Sequence, residues 1–392
     1  MKKLLIATYD LEIGGVERSL ISLLEKLDYT KFEVDLMLYS HKGEFLSMLP
    51  DTIRLLDENP LYKTFRMSVR ETAEKGHVAL AVARGFARLR ALLKPGEEKG
   101  VRQMQYMWRY ASPFLPDLQG EYDLAISYLW PHHFVAKKVK ARHKIAWIHT
   151  DFSSIPTDEK EDLRIWSTYQ TIAAISESCA EAFIAKYPSL TKSVMLIENI
   201  TSPEMVKSLA ATGSADIMVS DPSFKLITVA RLSHAKGIDR AVEVLHQIHQ
   251  NGYKNISWYV VGYGGDEGLV RSLIEKYKLQ QSFHLLGKQL NPYPFIQAGD
   301  LYVQPSRYEG KAVTVGEAQI LGKPVLITNY PTAESQVSNH IDGWICPQSI
   351  EGMTEAVLHL YHNPDIRKSL IRNCLQTDYG NSHELNKLYQ LV

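Results

Sequence analysis

Short apolar runs closed off by turn residues recur along the chain and set its organisation. In the first half, residues 4–9, 32–39, 53–56, 122–128, 144–151, 172–178 and 194–200 read as strands. In the second half, residues 224–230, 257–265, 283–287, 300–304 and 324–328 read the same way. Most are near-continuous in Val, Ile, Leu and Ala, the pattern of strands covered on both faces. Helical spacing fills the gaps. Leu20, Leu23, Leu24 and Leu27 follow the first strand, and Ala180, Phe183 and Ile184 follow a serine cap. Residues 313–321 form a helix that Gly322 and Pro324 stop, and residues 382–392 form a last short helix. Strand alternating with helix predicts an α/β chain with parallel sheets. Residues 201–223 are rich in Ser, Thr, Ala, Asp and Pro without strong periodicity and are the expected linker. The expected domains are 1–200 and 201–377.

Length and composition narrow the class. With 392 residues the chain is long enough for two or three domains, and 44 Lys+Arg balance 44 Asp+Glu. Nothing global therefore calls for nucleic acid. Cys179, Cys346 and Cys374 lie far apart, with neither metal spacing nor a disulfide framework, so a reducing compartment is expected. No apolar run reaches the ~18 residues of a membrane span. Asp10 and Glu12 cut the first apolar run too short for a signal peptide.

One region departs from this neutrality. Residues 61–110 hold eleven Lys or Arg against four Asp or Glu, a balance of +7. Residues 78–93 read as an amphipathic helix carrying Arg84, Arg88 and Arg90. A second helical piece, residues 101–110, carries Arg102, Arg109, Met104, Met107, Trp108 and two tyrosines. Residues 62–110 could dock on an anionic membrane surface. The plain alternative is a helical pair with a solvated basic face.

The chemistry concentrates in residues 305–324. Glu309 sits in a loop at the carboxyl end of a strand, where open α/β sheets bind ligands, and Glu317 about one turn inside the next helix. Between them, Gly310, Lys311, Ala312, Val313 and Thr314 form the helix start, whose amides favour a phosphate. Two carboxylates flanking such a cradle suit a nucleotide sugar. A turn residue and a solvated helix glutamate are the plain alternatives. Arg231 and Lys236 stand five apart in a loop that ends at another helix start, the pattern of a pyrophosphate clamp. Gly14-Gly15 and Gly262 with Gly264 mark tight turns after strands. The full dinucleotide fingerprint is absent. His149 falls at a strand end, two residues before Asp151, while His132-His133 shows no partner pattern and reads as loop.

Glu309-Gly310 and Glu317-Ala318, with Gly322-Lys323-Pro324-Val325 behind them, resemble the signature of the family 4 retaining glycosyltransferases. The best likeness is to enzymes that build bacterial capsules and exopolysaccharides. Arg231-Leu232 and Lys236-Gly237, Gly14-Gly15 with Glu17 and Arg18, the Val-Gly-x-Gly turn and His149 match in order. Ile200 stands where the family's hinge has glycine. The resemblance implies the GT-B fold: two Rossmann-like domains facing across a cleft, with residues 378–392 packing back on the first. It implies an acceptor domain followed by a donor domain, and sugar transfer from a nucleoside-diphosphate sugar, UDP foremost. The acceptor would be a hydroxyl of a glycan or a lipid-linked saccharide. In that reading Arg231 and Lys236 hold the diphosphate, His149 faces the transferred sugar and Gly14-Gly15 lies near donor and acceptor. Glu309 and Glu317 bind the sugar and the ribose. No cofactor or metal is expected, since no Asp-x-Asp occurs in the chain. A cytoplasmic protein, peripheral on the inner membrane face, follows from the same resemblance. Another activity on the same fold, such as an epimerase or phosphorylase, and a silent GT-B subunit that only binds are the other classes. The intact Glu pair and clamp argue against both.

Overall fold

The structure, a computed structural model, describes every residue except 94–98, 151, 153 and 154. It divides into two compact units, Met1–Ile200 with Asn381–Val392, and Thr201–Gly380.

The first unit is built on seven parallel strands: β1 (Lys2–Thr8), β2 (Phe32–Leu38), β3 (Arg54–Leu55), β4 (Glu121–Ser127), β5 (Lys140–Ile148), β6 (Thr171–Ala174) and β7 (Val194–Leu196). Their order is β3-β2-β1-β4-β5-β6-β7, so the sheet reverses its winding between β1 and β4. Such a switch point leaves a crevice beyond the strand ends. Helix α1 (Gly15–Lys26) follows β1. Between β3 and β4 the chain inserts a helical layer that includes α2 (Val78–Leu92) and α3 (Lys99–Ala111). The chain end returns to this unit: the Tyr389 ring stacks on Phe32, and Lys387 donates to the Leu196 carbonyl at 2.9 Å.

The second unit repeats the plan with six strands: β8 (Phe224–Val229), β9 (Ile256–Val261), β10 (Phe283–Gly287), β11 (Leu301–Gln304), β12 (Val325–Thr328) and β13 (Trp344–Cys346). Their order is β10-β9-β8-β11-β12-β13, with the switch between β8 and β11. Its helices include α4 (Pro203–Ala211), which precedes β8, α5 (Ile238–Gln250) between β8 and β9, and α6 (Val313–Ile320) between β11 and β12.

Several sequence expectations need correction. The expected linker is structured: α4 opens at a Ser202 cap with Pro203 at its first position, and Val206 and Met218 are buried in the second unit's core. The cap and the proline set the helix start where apolar periodicity was too short to announce it. His132 and His133 are not an open loop. His133 begins a helix, His133–Lys138, and both side chains are buried. The C-terminal helix is shorter than expected, spanning Leu385–Tyr389.

The inserted layer departs most from expectation. Arg84 turns inward, donating to the Thr64 carbonyl and, at 3.2 Å, to the Thr72 hydroxyl. Arg90 donates to the Tyr110 hydroxyl at 2.6 Å and lies over the Tyr106 ring. Arg66 pairs with Asp10 and Arg109 with Glu161, both at 2.5 Å. Met107 and Trp108 are core residues. Much of the +7 balance is thus neutralised inside the unit or used to pin it together, and the expected aromatic anchors are not at the surface.

Candidate functional site

In the second unit, the loops after β8 and β11 converge at the switch point. Lys236, in a single 3-10 turn after β8, places its ammonium 2.5 Å from Glu309 Oε2 in the loop after β11. The other carboxylate oxygen, Oε1, accepts from the Ser306 hydroxyl at 2.6 Å and from the Gln304 amide at 3.1 Å. The Glu309 side chain is 5% exposed. Both oxygens are engaged, so this carboxylate is held in place by three donors and is not poised as a nucleophile. An ammonium has three protons; one lies on Glu309, and others remain for an anion.

The backbone explains why a glycine follows Lys236. Gly237 is left-handed at φ 67°, and a Cβ there would overlap the Pro305 carbonyl. The two loops can approach this closely only with glycine. Arg307 then straps them together, bidentate to Asp239 on α5 at 2.8 and 2.6 Å. Burial pushes the Asp239 carboxyl up, but the Arg307 pair outweighs it and holds the group below its usual range. Gly262 serves the neighbouring turn. At φ 150° it sits against the Ala230 carbonyl, where a Cβ would overlap it. Its place is therefore set by packing of the turn after β9 on the loop after β8.

Helix α6 begins at Val313, and its cap residue, Ala312, brings no side-chain cap. One amide of the expected cradle is already taken: Ala312 N–H donates to Gln336 Oε1 at 3.1 Å. The amides of Val313 and Thr314 continue the turn, and the Thr314 hydroxyl meets the buried Tyr302 hydroxyl at 2.8 Å. Glu317 is not a solvated helix residue. It is 2% exposed and accepts from Tyr293 at 2.8 Å. Lys311 is exposed at the entrance to α6. Arg231, exposed at the end of β8, makes no ion pair with a carboxylate among the described residues.

The first unit presents a different arrangement after β1, β4 and β5. Gly14 caps α1, and Glu17 from the first helical turn folds its carboxylate back over it, where a Cβ would collide. Burial raises the Glu17 carboxyl. Around Gly15 there is open space. Ser19 and Tyr128 join the α1 and β4 segments by a 2.7 Å hydroxyl contact. His149, just beyond β5, lies against the Tyr128 ring at 4.6 Å and stacks on Trp147. Neither of its ring nitrogens has a hydrogen-bond partner among the described residues, and both are shielded from water. Burial pushes its pKa down to about 3, so the ring is neutral at pH 7. Asp151, its expected companion, lies outside the described residues.

The structure therefore brings Lys236, Glu309 and the 310–314 start of α6 into one cluster, with Glu317 buried behind it in the same helix. His149 and Gly14-Gly15 belong to the other unit. Sequence reading missed Gln304, Ser306, Tyr293, Gln336 and the Arg307–Asp239 strap. Each is a polar residue at a strand end, in a loop or in the first turn of a helix, and only the tertiary fold reveals its partner.

Comparison with known proteins agrees with this geometry. Residues 216–376 match the family described as glycosyl transferases group 1. The amylovoran biosynthesis glycosyltransferase AmsD of Erwinia amylovora is 24% identical over 192 residues, covering 48% of this chain and 53% of that one. The O-antigen biosynthesis glycosyltransferase WclY of Escherichia coli is 25% identical over 167 residues, 43% of this chain and 45% of that one. The chain thus spans about half the length of these curated relatives. Across the whole chain, the crystal structure of Anabaena HepE in complex with UDP-glucose superposes with a TM-score of 0.67 at 17% identity, covering 100% of this chain and 98% of that one. The chain as a whole has the GT-B fold, and its residues 216–376 are similar to the glycosyl transferases group 1 family.

Proposed function

We propose that this protein is a retaining glycosyltransferase of bacterial surface polysaccharide synthesis. It moves a sugar from a nucleoside-diphosphate sugar, UDP-sugar foremost, to a hydroxyl of a glycan or lipid-linked acceptor. The observation that carries the reading is the Lys236–Glu309 pair at the switch point of the second sheet, beside the uncapped start of α6. In this reading the second unit binds the donor. Arg231, the remaining protons of Lys236 and the amides at Val313 and Thr314 stabilise charge as the diphosphate departs. Glu309, fixed by Lys236, Ser306 and Gln304, orients the sugar hydroxyls, and Glu317 supports the ribose. The first unit takes the acceptor. There the neutral His149, without a hydrogen-bond partner among the described residues, offers a donor and an acceptor to a sugar hydroxyl without adding a charge. The departing phosphate takes the acceptor's proton.

The AmsD and WclY names support the pathway class, and the UDP-glucose complex of HepE supports the donor class. With two cations and a helix start at the diphosphate and no Asp-x-Asp in the chain, we place transfer among metal-independent reactions. A panel of UDP-, GDP- and ADP-sugars, read by thermal shift and donor hydrolysis, tests the reading. One nucleotide class should raise the melting temperature and be hydrolysed in EDTA. No shift with any of them would sink the donor assignment, and hydrolysis that returns only with magnesium or manganese would sink the metal-independent one.

A further inference from the structure

The start of α6 is braced from a distance. Several helices of the chain are capped by the residue that precedes them: Ser202 on α4, Ser176 on Glu177–Lys186 and Ser349 on Ile350–His362 each accept from a first-turn amide. At α6 that position holds Ala312, which has no polar side chain to offer. The loop beyond β12 supplies a contact instead. Gln336 Oε1 accepts from the Ala312 N–H at 3.1 Å and from the Tyr330 hydroxyl at 3.2 Å. A backbone N–H only donates, so the side-chain oxygen must face Ala312 and the amide nitrogen must point away from it. That nitrogen is shielded from water and has no partner among the described residues. Two more contacts come from residues beyond β12 and β13. Thr332 donates to the Glu309 carbonyl at 3.0 Å, and Gln348 to the Arg307 carbonyl at 2.9 Å. Residues 307–312 are thus gripped by their backbone as well as through the Glu309 carboxylate.

A neutral amide is the weaker choice for the brace at Ala312. A carboxylate at 336 would accept the same N–H more strongly and would suit the positive end of a helix. The first unit makes that other choice: Glu17 lays its carboxylate back over Gly14 at the start of α1. At α6 the two acids of the segment are engaged elsewhere. Glu309 is paired with Lys236, Glu317 is buried against Tyr293, and neither caps the helix. The positive end of α6 therefore keeps its field for a ligand, with Lys311 exposed at its entrance.

We propose that Gln336 is a positioning residue for the donor diphosphate: it braces the start of α6 through Ala312 and, being neutral, leaves the positive end of that helix to the ligand. The proposal rests on the donor reading of the second unit. Calorimetric titration of the full chain with UDP, GDP and ADP, alongside thermal unfolding without ligand, tests it. Gln336→Glu keeps an oxygen for Ala312 and should melt at or above wild type, yet bind the nucleoside diphosphate at least about tenfold more weakly. Gln336→Met, neutral but unable to brace, should melt about 2–4 °C lower and bind within about fivefold of wild type. Glu334→Gln, exposed on the same loop, should change neither. A brace with no bearing on the ligand would move melting and affinity together. Unchanged affinity in Gln336→Glu, or an equal loss in Gln336→Met, overturns the proposal. So does a Gln336→Glu that melts well below wild type, since burial alone would then exclude the charge. Where the wild type binds a nucleotide, any of these results removes only the role of Gln336. A wild type that binds none of the three removes the donor reading and this role with it.

Discussion

The two units share a strand order and a switch point, yet they prepare their loops in opposite ways. In the second unit the polar groups around Glu309 and Asp239 satisfy one another, although the Gln336 amide nitrogen and the Thr354 hydroxyl have no hydrogen-bond partner among the described residues. Glu309 has three donors, Asp239 has a bidentate arginine, and Ala312 N–H has Gln336. In the first unit, the strand ends carry buried groups with open valences: both nitrogens of His133 and His149 and one of His132 lack partners among the described residues. A satisfied network is rigid and fixes geometry before a ligand arrives, whereas unpartnered buried polar groups are a reservoir that a ligand can relieve. Under the proposed function, this contrast suits a donor site that must always present the same charges and an acceptor site that must adapt.

The largest effect should come from breaking the second unit's central pair. Lys236→Ala and Glu309→Gln should each lower kcat/KM for transfer at least about a hundredfold, the size of losing a charge-stabilising contact worth roughly 2.7–4 kcal/mol. Arg231→Ala should fall in the same range. Steady-state kinetics with the donor identified by the nucleotide panel checks this, with circular dichroism confirming the fold. Near-wild-type turnover in Lys236→Ala would mean that the pair is merely a loop brace.

Next in size is a test of backbone crowding. Gly262→Ala should destabilise the second unit by about 3 kcal/mol, combining an unfavourable φ with overlap on the Ala230 carbonyl. Gly15→Ala, in open space at a first helical position, should be nearly neutral. Urea unfolding of both variants separates a glycine needed for packing from one that packing leaves free. Equal stabilities would contradict the crowding at Gly262.

These pairs also show what was legible in advance. The apolar runs gave the strands because a parallel sheet buried on both faces leaves little choice of residue. The Glu309, Glu317, Arg231 and Lys236 block was legible because its spacing lies within two short stretches, one loop and one loop with the helix that follows it. What stayed hidden depended on distant partners. Arg84 and Arg90 look like surface cations until Thr72 and Tyr110 are brought against them. Glu317 looks solvated until Tyr293 closes over it.

The third prediction turns the first unit's open valences into a pH dependence. Burial depresses the pKa of His133 and of His149 to about 3. The unfolded chain therefore binds protons first, and stability is full above about pH 6.5 and is lost progressively as pH falls toward about 3. From pH 7 to about pH 5.5 each histidine should remove about 1 kcal/mol. Hydrogen exchange of the full chain at the two pH values should show protection falling first in β4 and β5, and His149→Phe should blunt the loss. Equal loss in β8 and β11 would remove the contrast between the units.

The smallest expected effect tests redundancy in the second unit. Ser306 is fully buried, donates to Glu309 Oε1 and accepts from Gln304 at 2.8 Å. In Ser306→Ala, Glu309 keeps Lys236 on one oxygen and Gln304 on the other, so no buried charge is left without a donor. Removing one donor among three should cost about 1 kcal/mol or less, at most roughly fivefold in kcat/KM. The change should appear in kcat with little change in KM, because the carboxylate loses orientation and keeps its place. Gln304→Ala should behave similarly, but the double variant should exceed the sum of the two. It would leave Oε1 with neither donor, and neighbours in one network do not act additively. Additive single effects would mean that Lys236 alone fixes Glu309 and that the surrounding donors are incidental. The second unit would then be no better organised around its carboxylate than the first unit is around His149.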